Sequence, residues 1–474
     1  MSANPSFIFE SRPDDVAPQA LRIEGTMPGA VRGRYCIIGP GRSEIGGQPL
    51  HVFDSFGRVL AARLGGDAAT LTSRHVRTPL LEAELAAGRM LQRRLFANKP
   101  ARWSNLFDLD LANGCNHNVY RFGQHLIAAQ DPGHFLLDPE TLATLGPLEC
   151  DGLYQKGTNG TPMARVDPAT GRLVLWLQKP GLTDKDTFVE LDERLCVAAR
   201  RTCKLPSGLL HDVAFTRGHY VVTRFAELNP LKALWGARPI FEALKFTDKT
   251  ALLHLVPRGE GAPRPVMLPA RTHFHYFNAF EDDGAVVVDT IAYAGAVSFS
   301  AFIPEATRKA SGLPVTPTAL PQVIRYRIAL DTLAIDERVM PGIACELPEV
   351  NPGVRGRSYR FAYACAKTER DVSLDPGAFP WFGGVGKLDF GANAATVWQA
   401  PAGATCSAPV FVADPDRSGE DAGFVLSWVQ RPTERTSSLV ILDAQRIEAG
   451  PVAQAHYGDL LGGLSHACFL PASG

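Results

Sequence analysis

The chain has 474 residues, with 48 lysines and arginines against 49 aspartates and glutamates, a formal charge of −1. Binding a phosphate backbone needs a basic surplus or stripe, so this balance argues against nucleic acid as a partner. The 44 glycines and 36 prolines exceed what helix interiors tolerate and exclude a helical bundle. Nine scattered cysteines with no C-x-x-C pair read as free thiols of a reducing compartment. No run of 18 apolar residues occurs, and residues 1–15 lack the pattern of a signal peptide. A cytoplasmic protein with a small apolar partner is the expectation.

In chain order, most segments read as short strands closed by turns. An apolar strand, an aspartate, a turn and a second apolar strand recur around Asp54, Asp138, Asp167, Asp331, Asp389 and Asp443. An aspartate at such a corner accepts from the backbone N–H two residues on and closes a hairpin. Six such hairpins predict an all-β chain of radially repeated sheets, with unrelated hairpins on a large β-sandwich as the alternative. Two stretches break the pattern, residues 78–112 and 226–248. The first contains LLEAELAAGRMLQRRLF, with apolar residues at helical spacing. The second, around NPLKALWGARPIFEALKF, suits ordinary core packing and equally a membrane-surface or substrate-entrance element.

Three histidines stand at the edges of apolar strands: His211 in LLHDVAFT, His275 in FHYFNAFED and His466 in GLSHACFL. Converging on a propeller axis, three imidazoles would suit a divalent first-row metal; separately, each would be a satisfied core residue. His273, two residues before His275, would face the same side of a regular strand, either approaching the axis or packed in the core.

At these residues the chain resembles the carotenoid cleavage oxygenases, the non-haem iron(II) group that includes retinoid isomerohydrolases and stilbene-cleaving enzymes. VRGRYCIIGPG, HVFDSFGRV, HDVAFT, FHYFNAFEDDG, RSYRFAYA and APVFVADPDRSGEDAGFVLSW occur in family order, nearly end to end. The resemblance implies one domain over residues 1–474, a seven-bladed β-propeller capped by a helical dome, with Fe(II) on the axis. Family members hold iron with four histidines, three of them backed by carboxylates, and His211, His275 and His466 match the second, third and fourth. The first belongs to a T-A-H-P-x-x-D-P motif that here reads TPMARVDP, putting Met163 in the histidine's place. Of the three carboxylates, Glu346 is kept, while Gln130 and Ala408 stand where the others are expected.

Two readings follow. In one, three imidazoles hold Fe(II), and molecular oxygen is used to cleave a C=C bond of an apolar polyene, apocarotenoid or isoprenoid. In the other, the same tunnel binds, isomerises or cyclises a terpenoid-like ligand without oxygen. The lysine with which stilbene-cleaving members deprotonate a phenol is replaced by Ala129, which disfavours a phenolic stilbene. Phe96, Trp103, Phe107, Trp235 and Phe241 are the expected tunnel lining.

Overall fold

Antiparallel strands make up nearly all of the regular structure. The computed structural model describes residues 10–472, apart from 101, 155–156, 180–184, 207, 209–210, 225, 247–249, 295–319 and 369–381. Five separate four- or five-stranded sheets follow one another along the chain, beginning at Asn118, Asn159, Ala214, Arg271 and Ile343. They are arranged as the blades of a propeller. A ten-stranded sheet joins the chain ends: Val16–Gly25 pairs on one side with Pro451–Tyr457 and on the other with Ala68–His75. Ala467–Pro471 returns to pair with Gly33–Arg42, with Cys36 opposite Cys468.

Alternation along these strands buries one set of side chains against the preceding sheet and the other against the next. The core is accordingly divided into clusters between neighbouring sheets. Trp176, Phe188, Tyr220 and Val256 fill one, and Tyr276, Val286, Leu253 and Tyr326 fill the next. Of the six corner aspartates, Asp138, Asp167, Asp389 and Asp443 each accept from the N–H two residues on, as predicted. Asp331 accepts from Thr332. Asp54 departs: it is buried and accepts from Leu95 and Phe96 N–H, tying the first insertion to the blades. All nine cysteines are free thiols.

Each insertion is less helical than predicted. Among the described residues, the first holds one α-helix, α1 (Pro79–Ala87), and the second one of six residues, α2 (Pro230–Trp235), each with a further short 3-10 turn. Both begin with proline after a capping side chain, Thr78 or Asn229, and end at a glycine with φ near +62°. These are strong start and stop signals, and in α2 they leave less than two turns between them. The insertions lock together through Arg93, whose guanidinium is fully buried and donates to the carbonyls of Asp108, Ala233 and Arg238 and to Asn98 Oδ1. Among the described residues, no helix is long and apolar enough to cross a membrane.

Candidate metal centre

His211, His275 and His466 come from three different sheets and meet with their ligand nitrogens within 4.8 Å of one another. All three are buried. His275 lies within Arg271–Asp282; His211 and His466 lie just before the strands Ala214–Phe215 and Ala467–Pro471. His211 Nε2 is 2.9 Å from His275 Nε2, and the ring centres of the His211–His275 and His275–His466 pairs are 4.8 and 5.0 Å apart. With metal–nitrogen bonds of about 2.1 Å, two imidazoles at right angles on one ion place their nitrogens about 3.0 Å apart. The three rings fit a shared first-row cation.

Each ring is fixed by its surroundings. His275 Nδ1 donates to Glu346 Oε2 at 2.6 Å, leaving Nε2 with its lone pair toward the cluster. Glu346 is held in turn by the Tyr293 hydroxyl (2.6 Å) and the Leu347 N–H. Carboxylate partners of this kind set the tautomer and raise ligand basicity. A second brace ties His211 to His275: Asp212 pairs with Arg165, which also donates to the Tyr276 carbonyl, while Tyr276 N–H donates to Asp212 Oδ2. Thr161 Oγ1 holds the His211 carbonyl at 2.6 Å. Burial pushes the pKa values of His211 and His466 well below the ordinary imidazole range, and neighbouring imidazoles add to the effect. Both rings are neutral at neutral pH, the state that binds metal.

Other expected participants lie elsewhere. Met163 is buried and accepts a hydrogen bond at Sδ from Asn118 Nδ2 (3.6 Å), so its thioether is engaged by an amide. Both ends of the Gln130 amide are taken up by backbone. Its Nε2 donates to the Phe53 carbonyl and its Oε1 accepts from Cys115 N–H at 2.6 Å. Ala408 contributes only its carbonyl, which accepts from the Tyr35 hydroxyl. His273 is turned away by a register shift between it and His275, and its Nε2 lies 3.1 Å from the Tyr326 hydroxyl. Regular alternation would have put both rings on one side, and the bulge breaks it.

The sequence reading missed His117. It directly precedes the strand Asn118–Phe122, and its carbonyl accepts from His466 N–H (3.4 Å). Its ring centre is 6.2 Å from that of His211 and 5.3 Å from that of Phe53. The pattern C-N-H-N immediately before an apolar strand was the available signal, the same placement that singles out His466.

Three adjoining cavities run from beside His117 outward. One of about 60 Å³ is lined by Phe53, Leu95, His117, Gln130 and Asp131 among others. It shares Leu111, Pro132 and Asn159 with a second, of about 350 Å³. The second shares Leu80, Gln92, Asp110 and Gly157 with a third, of about 640 Å³, which reaches Phe107. The expected aromatic lining needs correction. Trp103 and Trp235 are 83 and 64% exposed and line none of these cavities, whereas Phe107, 79% exposed, stands at the rim of the outermost one. The insertions put backbone and Arg93 between them, and the two indole rings turn outward. Phe96 and Phe241 stack on each other at 4.6 Å, with His51 against Phe96 at 3.8 Å.

A family model described as retinal pigment epithelial membrane protein, RPE65, matches residues 9–471. The chain belongs to the RPE65 family. One RPE65-family relative, the apocarotenoid-15,15'-oxygenase of Synechocystis sp., is 31% identical over 94% of this chain and 91% of its own length. Isoeugenol monooxygenase of Pseudomonas putida is 28% identical over 95% and 94%. Among solved structures, a cobalt-substituted Synechocystis apocarotenoid oxygenase superposes with a TM-score of 0.88 at 28% identity, covering 99% of this chain and all of that one.

Proposed function

We propose that this protein is an iron(II)-dependent oxygenase that cleaves a C=C bond of an apolar polyene, apocarotenoid or isoprenoid. The observation that carries the reading is the cluster of His211, His275 and His466, with Glu346 directing the His275 lone pair inward. Named relatives that match along the chain are an apocarotenoid-15,15'-oxygenase and an isoeugenol monooxygenase. Ferrous iron held there would supply activation of molecular oxygen next to the double bond. The chain's own residues do the rest. The apolar walls of Leu80, Leu111, Pro132 and Phe53 strip water from the polyene, and burial keeps the imidazoles neutral. The polar groups Asp110, Asn159 and Gln130 along the same path suit a substrate with an oxygenated end.

The proposed architecture is a single domain, residues 1–474, with seven blades and a cap formed by residues 78–112 and 226–248. Supporting this, the ten-stranded sheet divides at Val16–Gly25 into two sets of strands. Seven hydrophobic clusters then lie between successive sheets around a closed ring. Exposed Leu231, Trp235, Trp103 and Phe107 on the cap favour peripheral contact with the membrane in which such a substrate dissolves.

The test is turnover of an apocarotenal by protein loaded with iron(II) without oxygen and then exposed to ¹⁸O₂. Label in a carbonyl product, lost together with bound iron in His275→Ala, is the expected result. Turnover that persists under nitrogen overturns the oxygenase in favour of a non-oxidative isomerase or cyclase.

A further inference from the structure

We infer that Asp131 selects the substrate by its oxygenated end, taking a carbonyl or hydroxyl oxygen into the innermost of the three cavities. The inference rests on the proposed oxygenase for the class of ligand; the recognition itself is read from this chain's own residues.

An apolar ligand alone does not call for the walls of this cavity. Asp54, His117, Gln130, Asp131, Asn159 and Gln178 all contribute to them. Most of these side chains are engaged within the protein. Both oxygens of Asp54 accept backbone N–H groups, both ends of the Gln130 amide are bonded, and the Gln178 amide lies between Arg224 and the Gly208 carbonyl. Asp131 differs: its Oδ1 is buried without a partner. A polar atom left in that state is costly, and a ligand oxygen that hydrogen-bonds the carboxyl offsets the cost.

Local structure explains why Asp131 is left over. It stands at the tip of the hairpin that joins His125–Gln130 to Gly133–Leu137, with Gln130 opposite Gly133. A corner aspartate ordinarily closes its own turn, as Asp138 and Asp167 do. Asp131 is followed by Pro132, which has no N–H to donate. The Asp131 carbonyl takes Gly160 N–H, which fixes the residue against the next sheet and leaves its carboxyl on the cavity wall.

Charge narrows the ligand. Burial pushes the Asp131 pKa up to about 8 with no cation to offset it, so at neutral pH the carboxyl keeps its proton and can donate it in a hydrogen bond. His117, on the same cavity, is held neutral: burial, and then His275, lower its pKa to about 4, and its Nδ1 is also unpartnered. No lysine or arginine lines this cavity among the described residues, so a carboxylate end finds no counter-charge. A neutral oxygen fits. A volume of about 60 Å³ has room for a few water-sized groups. It suits a short oxygenated end, with the hydrocarbon body in the adjoining cavities of about 350 and 640 Å³.

The test compares three polyenes of one length, ending in an aldehyde, an alcohol or a methyl group. Their binding to the full-length protein is read under nitrogen by quenching of tryptophan fluorescence. The wild-type chain should bind the aldehyde and the alcohol about tenfold or more tighter than the hydrocarbon. Asp131→Leu should erase most of that preference, and Asp131→Asn, which still donates, should keep it. Should Asp131→Leu not fold, Asp131→Ala makes the same comparison. A wild type without the preference, or a preference unchanged in Asp131→Leu, overturns the inference. Equal loss of affinity for all three ligands in Asp131→Leu assigns the residue a structural role and overturns it as well. Preference for the oxygenated ends without incorporation of ¹⁸O overturns the oxygenase and leaves the recognition standing. Binding of none of the three overturns both.

Discussion

Glu346 and His275 sit on neighbouring sheets, 71 residues apart in sequence, with Glu346 Oε2 2.6 Å from His275 Nδ1. Both side chains are about 5% exposed. The bond fixes which imidazole nitrogen is free, so it acts on the metal through His275. Glu346→Gln keeps the size and can still bond Tyr293, but offers no negative charge to the ring. Metal affinity should fall by about 10–100-fold, measured by chelator competition on folded protein. An affinity within twofold of wild type would remove Glu346 from the positioning of the centre.

Asp131 lines the innermost cavity with Oδ1 buried and unpartnered. Burial pushes its pKa up to about 8. Because the folded value lies above the unfolded one, near 3.9, the native state binds the extra proton between these limits. The stabilisation belonging to the protonated form is full below about pH 4 and is lost as pH rises toward 8. Asp131→Asn lacks this loss. Its Tm advantage over wild type should therefore widen from pH 5 to pH 8 and level off above that. A gap that does not change with pH would show that the carboxyl titrates normally.

The buried histidines act in the opposite direction. Desolvation lowers His117 and His134 to about 4 and His273 to about 3. Their folded values lie below the unfolded value near 6.5, so the stability they carry is present above pH 6.5 and is lost as pH falls below it. Metal-free protein should lose Tm steeply between pH 6.5 and 4. His273→Asn, at a ring paired with Tyr326 and not with the three clustered imidazoles, should make that slope shallower. An unchanged slope would mean that other groups dominate acid unfolding.

Arg93 bridges the two insertions through three backbone carbonyls. Arg93→Met leaves these acceptors buried and unpaired, at about 1–3 kcal/mol each before relaxation. Hydrogen exchange over residues 226–246 should accelerate by tenfold or more while the blades stay protected. Equal exchange in variant and wild type would show that the insertions hold together without the arginine.

Trp103 and Trp235 are exposed on neighbouring insertions that are tied by the Phe107 N–H to Leu234 carbonyl bond. If this surface meets lipid, replacing both tryptophans by serine removes roughly 3 kcal/mol or more of apolar transfer. Cosedimentation with phosphatidylcholine vesicles should then drop by tenfold or more. Identical sedimentation of variant and wild type would assign the patch another role.

Local chemistry settled a good deal in advance. Alternating strands and corner aspartates at 138, 167, 389 and 443 specify hairpins, because an aspartate closes its turn with atoms two residues away. His211, His275 and His466 were marked by their places at the edges of apolar strands, while their shared ligand role, and that of Glu346, came from the family resemblance. Tertiary structure decided what depended on atoms distant in sequence. A bulge turned His273 toward Tyr326, Asp54 left its turn for the Leu95 and Phe96 amides, and the tunnel tryptophans Trp103 and Trp235 stand on the outer surface. The position of His117 is the sharpest case. Nothing in C-N-H-N shows that its ring reaches His211, 94 residues along the chain. Only the closure of sheets around a common centre brings the two together, because such a contact is set by distances between blades and not by spacing within one.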